Sequence, residues 1–101
     1  MYDILDYTKK RLSKINDKLN TDKITIEQST NKDKKIDVFI NNKKVASIGA
    51  IGYKDYPTYT KEKGKMYADG RRKLYYRRHS KEDDIKDGKI TPSWWARWLL
   101  W

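Results

Sequence analysis

The C-terminal segment Trp94–Trp101 constrains the fold more than any other part of the chain. It carries four tryptophans and two leucines around a single arginine. A helix with this sequence would be apolar on nearly every side, and such a helix must be buried. We therefore predict an aromatic helix over residues 91–101, capped by Thr91, with Trp95 and Leu99 in the core of the domain.

The remainder of the chain is short and polar, so the rest of its core must be lean. Of its 101 residues, 37% are hydrophobic and 38% are charged, where a typical domain has about 45–50% and about 25%. Aromatic residues compensate because each large ring buries much area. We predict a single domain over residues 1–101. The lack of cysteine excludes disulfides and thiolate zinc sites.

Three segments in the first half of the chain alternate between apolar and polar residues, which is typical of half-buried strands. They cover residues 23–27, 35–41 and 45–51. Short polar turns, including one at Asn41-Asn42 or Asn42-Lys43, indicate an antiparallel β-meander over residues 23–52. In the second strand, this alternation places Ile36 and Val38 inward and Asp37 outward. Small residues in the third strand, Gly49 among them, indicate that a helix or a ligand approaches the backbone closely.

Helical spacing of apolar residues predicts an N-terminal helix over residues 3–19, within the segment 1–20 and stopped by Asn20-Thr21. A long basic helix is predicted over residues 57–81, with Asp55 as its cap, and Gly64 or Gly70 could break it. Its apolar side is traced by Tyr59, Lys63, Met66, Tyr67, Gly70 and Leu74. The predicted fold is α+β: a three-stranded antiparallel sheet, an N-terminal helix, a basic helix and a short aromatic C-terminal helix.

Positive charge is concentrated in the predicted basic helix. Residues 61–81 hold nine basic and two acidic residues, a net charge of +7 out of +10 for the whole chain. Arginine grips phosphates bidentately, and tyrosine can stack on bases. These residue types in one segment predict a nucleic-acid site with mainly phosphate-backbone contacts. Its candidate residues are Lys65, Arg71, Arg72, Lys73, Tyr75, Tyr76, Arg77, Arg78 and His79.

Two alternatives leave the same residues without a ligand. The basic side chains could form a solvated face whose tyrosines pack on the core. The acidic run Glu82-Asp83-Asp84 could also fold back and neutralise part of the basic helix. Either arrangement would leave the net charge as a determinant of solubility alone.

Catalysis has little support in the sequence, and we predict a non-enzymatic protein without cofactor or metal. His79 is the only histidine, and no phosphate-cradling P-loop is present. A metal-dependent nuclease could be imagined from Asp55, Glu62 and Asp69, but no spacing forces these carboxylates together.

The aromatic helix is also a candidate protein interface. Tryptophan and arginine are the residue types that dominate interface hot spots. Four tryptophans and two leucines exceed what a small sheet can cover, so part of the helix is expected to meet another protein. The candidate interface residues are Trp94, Arg97, Trp98 and Trp101.

Three motifs follow one another in the second half of the chain. They read GAIGYKDY over residues 49–56, an arginine-rich stretch with Arg71-Arg72, Tyr75 or Tyr76 and Arg78-His79, and WWARWLLW over residues 94–101. In this pattern the chain resembles a family of short basic proteins found in large double-stranded DNA viruses of eukaryotes. The resemblance covers residues 45–101 and leaves the N-terminal segment 1–20 outside it.

The resemblance implies a viral setting and no particular activity. Two roles fit that setting: nucleic-acid binding in the infected cell or inside the virion, and a minor capsid or core protein docked on a larger virion or host protein. The N-terminus has no basic region followed by an apolar stretch, as a secretory signal would. No apolar run approaches the roughly 20 residues of a membrane span. We therefore expect the host cytoplasm, the nucleus or the virion as its location.

Overall fold

The computed structural model describes residues 2–19 and 23–101 and has an α+β fold. Its elements are α1 (Asp6–Leu19), β1 (Ile24–Gln28), β2 (Lys34–Ile40), β3 (Lys43–Ala50), α2 (Tyr56–Lys63), α3 (Lys65–Arg78), β4 (Ile85–Lys86), β5 (Lys89–Ile90) and α4 (Pro92–Leu100). None of the helices in these two ranges is both long enough and apolar enough to cross a membrane.

The predicted antiparallel meander is confirmed. Strands β1, β2 and β3 pair in sequence order, with Ile24 opposite Ile40 and Ile36 opposite Ile48. The turn between β2 and β3 is Asn41-Asn42, the first of the two predicted alternatives. Both asparagines have positive φ, 51° and 69°, as a two-residue type I′ turn requires.

Helix α4 provides the centre of the core, as the apolar C-terminal segment predicts. Trp95 and Leu99 are buried, and they belong to one apolar cluster with Ile15 of α1 and Ile36 and Ile48 of the sheet. The predicted helix start is also confirmed, because the Thr91 side chain accepts a hydrogen bond from the Trp94 N–H at 3.3 Å. The helix therefore joins α1 to the sheet.

The basic segment forms two helices instead of the single predicted one. Gly64 has a φ of 90° and separates α2 from α3, so the break occurs at the first of the two predicted glycines. The predicted apolar side is wrong beyond this break: Met66 is 91% exposed and Leu74 is also exposed, while Ala68 and Tyr75 are buried. The helical phase changes at Gly64, so a periodicity that starts at Tyr59 does not continue into α3.

The ends of other elements differ modestly from the predictions. Helix α1 begins at Asp6, three residues later than predicted, and the predicted stop at Asn20-Thr21 lies outside the described residues. Asp87-Gly88 forms a turn with positive φ at both residues, 54° and 76°. It joins β4 and β5, a two-stranded hairpin that the sequence analysis did not include.

Asp37 is buried, which corrects the prediction that it points outward to solvent. Its carboxylate accepts hydrogen bonds from the Ser29 and Ser47 hydroxyls at 2.6 and 2.7 Å and from the Thr30 N–H at 3.2 Å. Lys44 Nζ lies 3.4 Å away. Burial alone would raise the pKa of Asp37, but these hydrogen bonds and the Lys44 charge outweigh it and lower the pKa to about 2.

The close approach predicted at the third strand occurs at Gly49. A Cβ there would lie 2.8 Å from Leu100 Cδ1, and φ is +77°. We expect Gly49→Ala to lower the free energy of unfolding by about 1–3 kcal/mol, because the side chain would be both crowded and strained.

Gly70→Ala is the matched control for this substitution. Gly70 lies inside α3 with open space around it, so alanine should stabilise the protein by about 0.5–1 kcal/mol. Urea denaturation followed by circular dichroism measures both changes. A neutral Gly49→Ala variant would contradict the packing of α4 against β3.

Candidate nucleic-acid interface

Helix α3 presents an exposed basic surface near its C-terminal end. Lys73, Arg77 and Arg78 are exposed, and none of them pairs with an acidic side chain in the part of the chain that the structure describes. Tyr76 is exposed between them. These four members of the predicted set are therefore available to a ligand. Lys65 is exposed too, but its ammonium group lies 2.8 Å from the Asp69 carboxylate.

Arg72, a member of the predicted nucleic-acid site, makes contacts within the fold. Its guanidinium carbon lies 3.7 Å from the centre of the Tyr56 ring, and Nη2 donates a hydrogen bond to the Tyr7 hydroxyl at 2.9 Å. The side chain is half-buried. It joins α3 to α2 and α1 and is already committed to these contacts.

Tyr75 and Trp101 are also internal, so neither can take the role predicted for it. Their rings stack with centres 4.4 Å apart and planes at 7°, and both residues are buried. Burial raises the pKa of the Tyr75 hydroxyl to about 12. Tyr75 is therefore not free to stack on a base, and Trp101 is not free to contact a partner.

The acidic run after α3 pairs with one residue of the predicted basic helix, His79, and with one residue of α4. Glu82 Oε1 lies 2.7 Å from His79 Nδ1 and accepts a hydrogen bond from the Ser93 hydroxyl at 2.8 Å. Its pKa is lowered mainly by the hydrogen bond with His79. Asp84 pairs with Arg97 at 2.8 Å. The run thus pairs with His79 and Arg97 and makes no ion pair with the exposed Arg77 or Arg78.

The other two candidate interface residues on α4 are half-buried. Trp94 and Trp98 have ring centres 5.6 Å apart. The Trp98 ring lies under two cations of α1, with Arg11 Cζ at 5.0 Å and Lys18 Nζ at 4.8 Å from its centre. Cation–π contacts of this kind cover part of the ring within the chain itself.

A cleft of about 660 Å³ lies beside α3, within the usual size range of ligand pockets. Arg71 and Arg78 line its α3 side, and Lys34 lines its sheet side, while Leu100 and Trp101 contribute apolar surface. All three motifs of the sequence, residues 49–56, 71–79 and 94–101, contribute lining residues. Lys34 and Tyr53 of this lining were not predicted from the sequence, because nothing in the neighbouring residues indicates that the fold brings them to the same cleft as α3.

A buried ion pair holds the loop at one side of this cleft. Lys35 Nζ lies 3.0 Å from Asp55 Oδ2, and the two side chains are 6% and 1% exposed. The same lysine donates a hydrogen bond to the Tyr53 carbonyl. Asp55 also accepts a hydrogen bond from the Tyr2 hydroxyl at 2.7 Å. The pKa of this hydroxyl is raised, first by burial and second by the charge of Asp55. The predicted role of Asp55 as a helix cap is confirmed by the Thr58 N–H, 3.0 Å from Oδ1.

The carboxylates considered for a nuclease are not brought together. Asp55 pairs with Lys35, Glu62 with Lys54 at 2.6 Å, and Asp69 with Lys65. Over residues 2–19 and 23–101, no group of three or more acidic or histidine side chains is arranged to hold a metal ion.

Comparison with known proteins gives no relative on which a role could be based. No protein-family model matches the chain, and neither a curated protein nor a solved structure matches it. The interpretation of the site therefore depends on its own geometry.

Proposed function

We propose that this protein binds nucleic acid, without catalysis, through the exposed basic surface of α3 and the adjoining cleft. The observation that carries the proposal is a set of exposed cations, Lys73, Arg77 and Arg78, within two turns of one helix, none of them paired with an acidic side chain of residues 2–19 and 23–101. Arg71 lies beside them in the cleft, with its guanidinium carbon 5.3 Å from the centre of the Tyr59 ring. A polyanion would satisfy these charges together.

Contacts to phosphate are expected to dominate binding. Lys73, Arg77 and Arg78 form no ion pair with an acidic side chain of residues 2–19 and 23–101, so they can follow a flexible or irregular backbone. Binding of this type releases counterions, so the logarithm of the affinity falls linearly with the logarithm of the salt concentration. Each phosphate contact makes this slope steeper by about 0.7–0.9.

A charge-reversal pair tests this proposal. In the first variant, Lys73, Arg77 and Arg78 are replaced by glutamate. In the control, the exposed α1 residues Lys9, Lys10 and Lys14 are replaced by glutamate. Both variants lose six units of charge from the same formal +10. Binding to labelled DNA and RNA is measured by fluorescence anisotropy across a salt series. The slope of log affinity against log salt concentration should become shallower by about 2–3 in the α3 variant only.

Two results would count against the proposal. An equal loss of affinity in both variants would show that binding depends on the net charge of the protein and not on a defined surface. No wild-type binding near physiological salt would reduce the α3 charges to a solvated face.

A structural role in a virion, docked through the aromatic helix, is the weaker alternative. Trp101 is internal and Arg97 is paired with Asp84, so only the half-buried Trp94 and Trp98 remain for a partner. The resemblance noted from the sequence would set either role in the infected cell or inside the virion of a large DNA virus.

A further inference from the structure

A second cleft, of about 550 Å³, adjoins the cleft beside α3, and its lining includes Lys32 and Gly52. Lys34, Lys35, Tyr53 and Lys54 line both clefts. We refer to the two adjoining clefts together as the groove. Its lining residues range from α3 to the loop between β1 and β2.

Basic side chains line both parts of the groove. Its acidic side chains are already engaged, Asp55 by Lys35 and Glu82 by His79. Four lining cations have no acidic partner in residues 2–19 and 23–101. They are Arg71 and Arg78 at the α3 end, Lys34 at the junction and Lys32 at the far end. Cations spaced in this way suit a chain of phosphates more than a single anion.

Tyr53 stands at the junction with its ring in solvent, at 77% exposure. Its backbone is held on both sides: the carbonyl accepts from Lys35, and the N–H donates to the Ala50 carbonyl at 3.3 Å. The neighbouring Asp55 is fixed by the same buried network. An exposed aromatic ring on a fixed loop between cations is the arrangement on which single-stranded bases stack.

We propose that this groove binds single-stranded nucleic acid, with phosphates along Arg71, Arg78, Lys34 and Lys32 and a base stacked on Tyr53. This inference rests on the proposed function and adds a substrate class to it. A duplex keeps its base faces stacked inside the helix and cannot offer one to Tyr53. A single strand offers both its phosphates and its bases.

The test compares Tyr53→Ala with Tyr67→Ala, an exposed tyrosine of α3 that is not among the candidate binding residues and does not line the groove. The probes are fluorescent oligothymidylate and oligouridylate of about ten nucleotides, within the roughly 4–16 nucleotides that single domains cover, and a duplex of equal length. We expect the wild type to prefer the single strands. Tyr53→Ala should weaken single-strand binding roughly 5- to 150-fold and leave duplex binding unchanged, whereas Tyr67→Ala should bind as the wild type does.

The outcomes separate this inference from the function on which it rests. Duplex binding as tight as single-strand binding, or a loss with Tyr67→Ala instead of Tyr53→Ala, would overturn the inference and leave nucleic-acid binding intact. Absence of wild-type binding to every probe would overturn both. Loss of single-strand affinity in Tyr53→Ala alone, with thermal unfolding unchanged, would establish Tyr53 as the stacking residue, and the preferred oligonucleotide would identify DNA or RNA as the ligand.

Discussion

Lys35→Met is expected to lower the free energy of unfolding by about 3–5 kcal/mol, because it leaves the Asp55 carboxylate buried without its counter-ion. The pair lies almost entirely out of solvent, with Nζ and Oδ2 3.0 Å apart. The lysine also supports the Tyr53 carbonyl. The total free energy of unfolding of a domain is about 5–15 kcal/mol, so the variant should unfold at a much lower urea concentration than the wild type.

Lys34→Met is the control for this prediction. Lys34 directly precedes Lys35 in β2, is half-buried and makes no ion pair with a described residue. Its replacement should therefore change the free energy of unfolding by less than about 1 kcal/mol. Adding Asp55→Asn to Lys35→Met should recover part of the loss, since a neutral amide can still cap α2. Equal effects of the two lysine substitutions would contradict a buried ion pair.

Trp95→Ala is expected to cost about 3–5 kcal/mol, the usual range for truncating a large buried aromatic residue. Trp95 is 1% exposed at the centre of the apolar cluster that joins α4 to the sheet. Because this penalty is comparable to the total stability, the variant should be close to the threshold of unfolding at room temperature.

The adjacent Trp94 provides the comparison. It is half-buried and meets the Trp95 ring edge-on at 5.1 Å, so Trp94→Ala should cost only about 1–2 kcal/mol. Thermal unfolding by circular dichroism would rank the two variants. A Trp95→Ala variant as stable as Trp94→Ala would show that α4 does not anchor the core.

The parts of the fold that were predicted correctly depend on signals carried by neighbouring residues. Alternation reports a half-buried strand directly, and Asn41-Asn42 reports its own turn. Asp37 was misplaced because alternation gives the face of a strand and not its accessibility. The buried carboxylate accepts hydrogen bonds from the Ser29 and Ser47 hydroxyls. The alternation of residues in β2 does not indicate these hydrogen bonds.

The candidate site was only partly predictable for a related reason. Charge clustering identified α3 because its cations are close in the sequence. It could not separate the exposed Arg77 from Arg72, whose guanidinium packs on Tyr56, since both lie in the same basic run. Lys34 and Tyr53 could be assigned to the site only from the structure, in which residues of the sheet, the loop and α3 line the same cleft.

The location of bound nucleic acid tests the account most directly. Amide chemical shifts of the isotope-labelled protein can be followed during titration with oligothymidylate at low salt. We predict that the shifts cluster in the loop around Tyr53 and in the C-terminal half of α3, and that the exposed face of α1 around Lys10 is unchanged. Shifts centred on α1, or spread evenly over all exposed lysines, would contradict a defined nucleic-acid site on this protein.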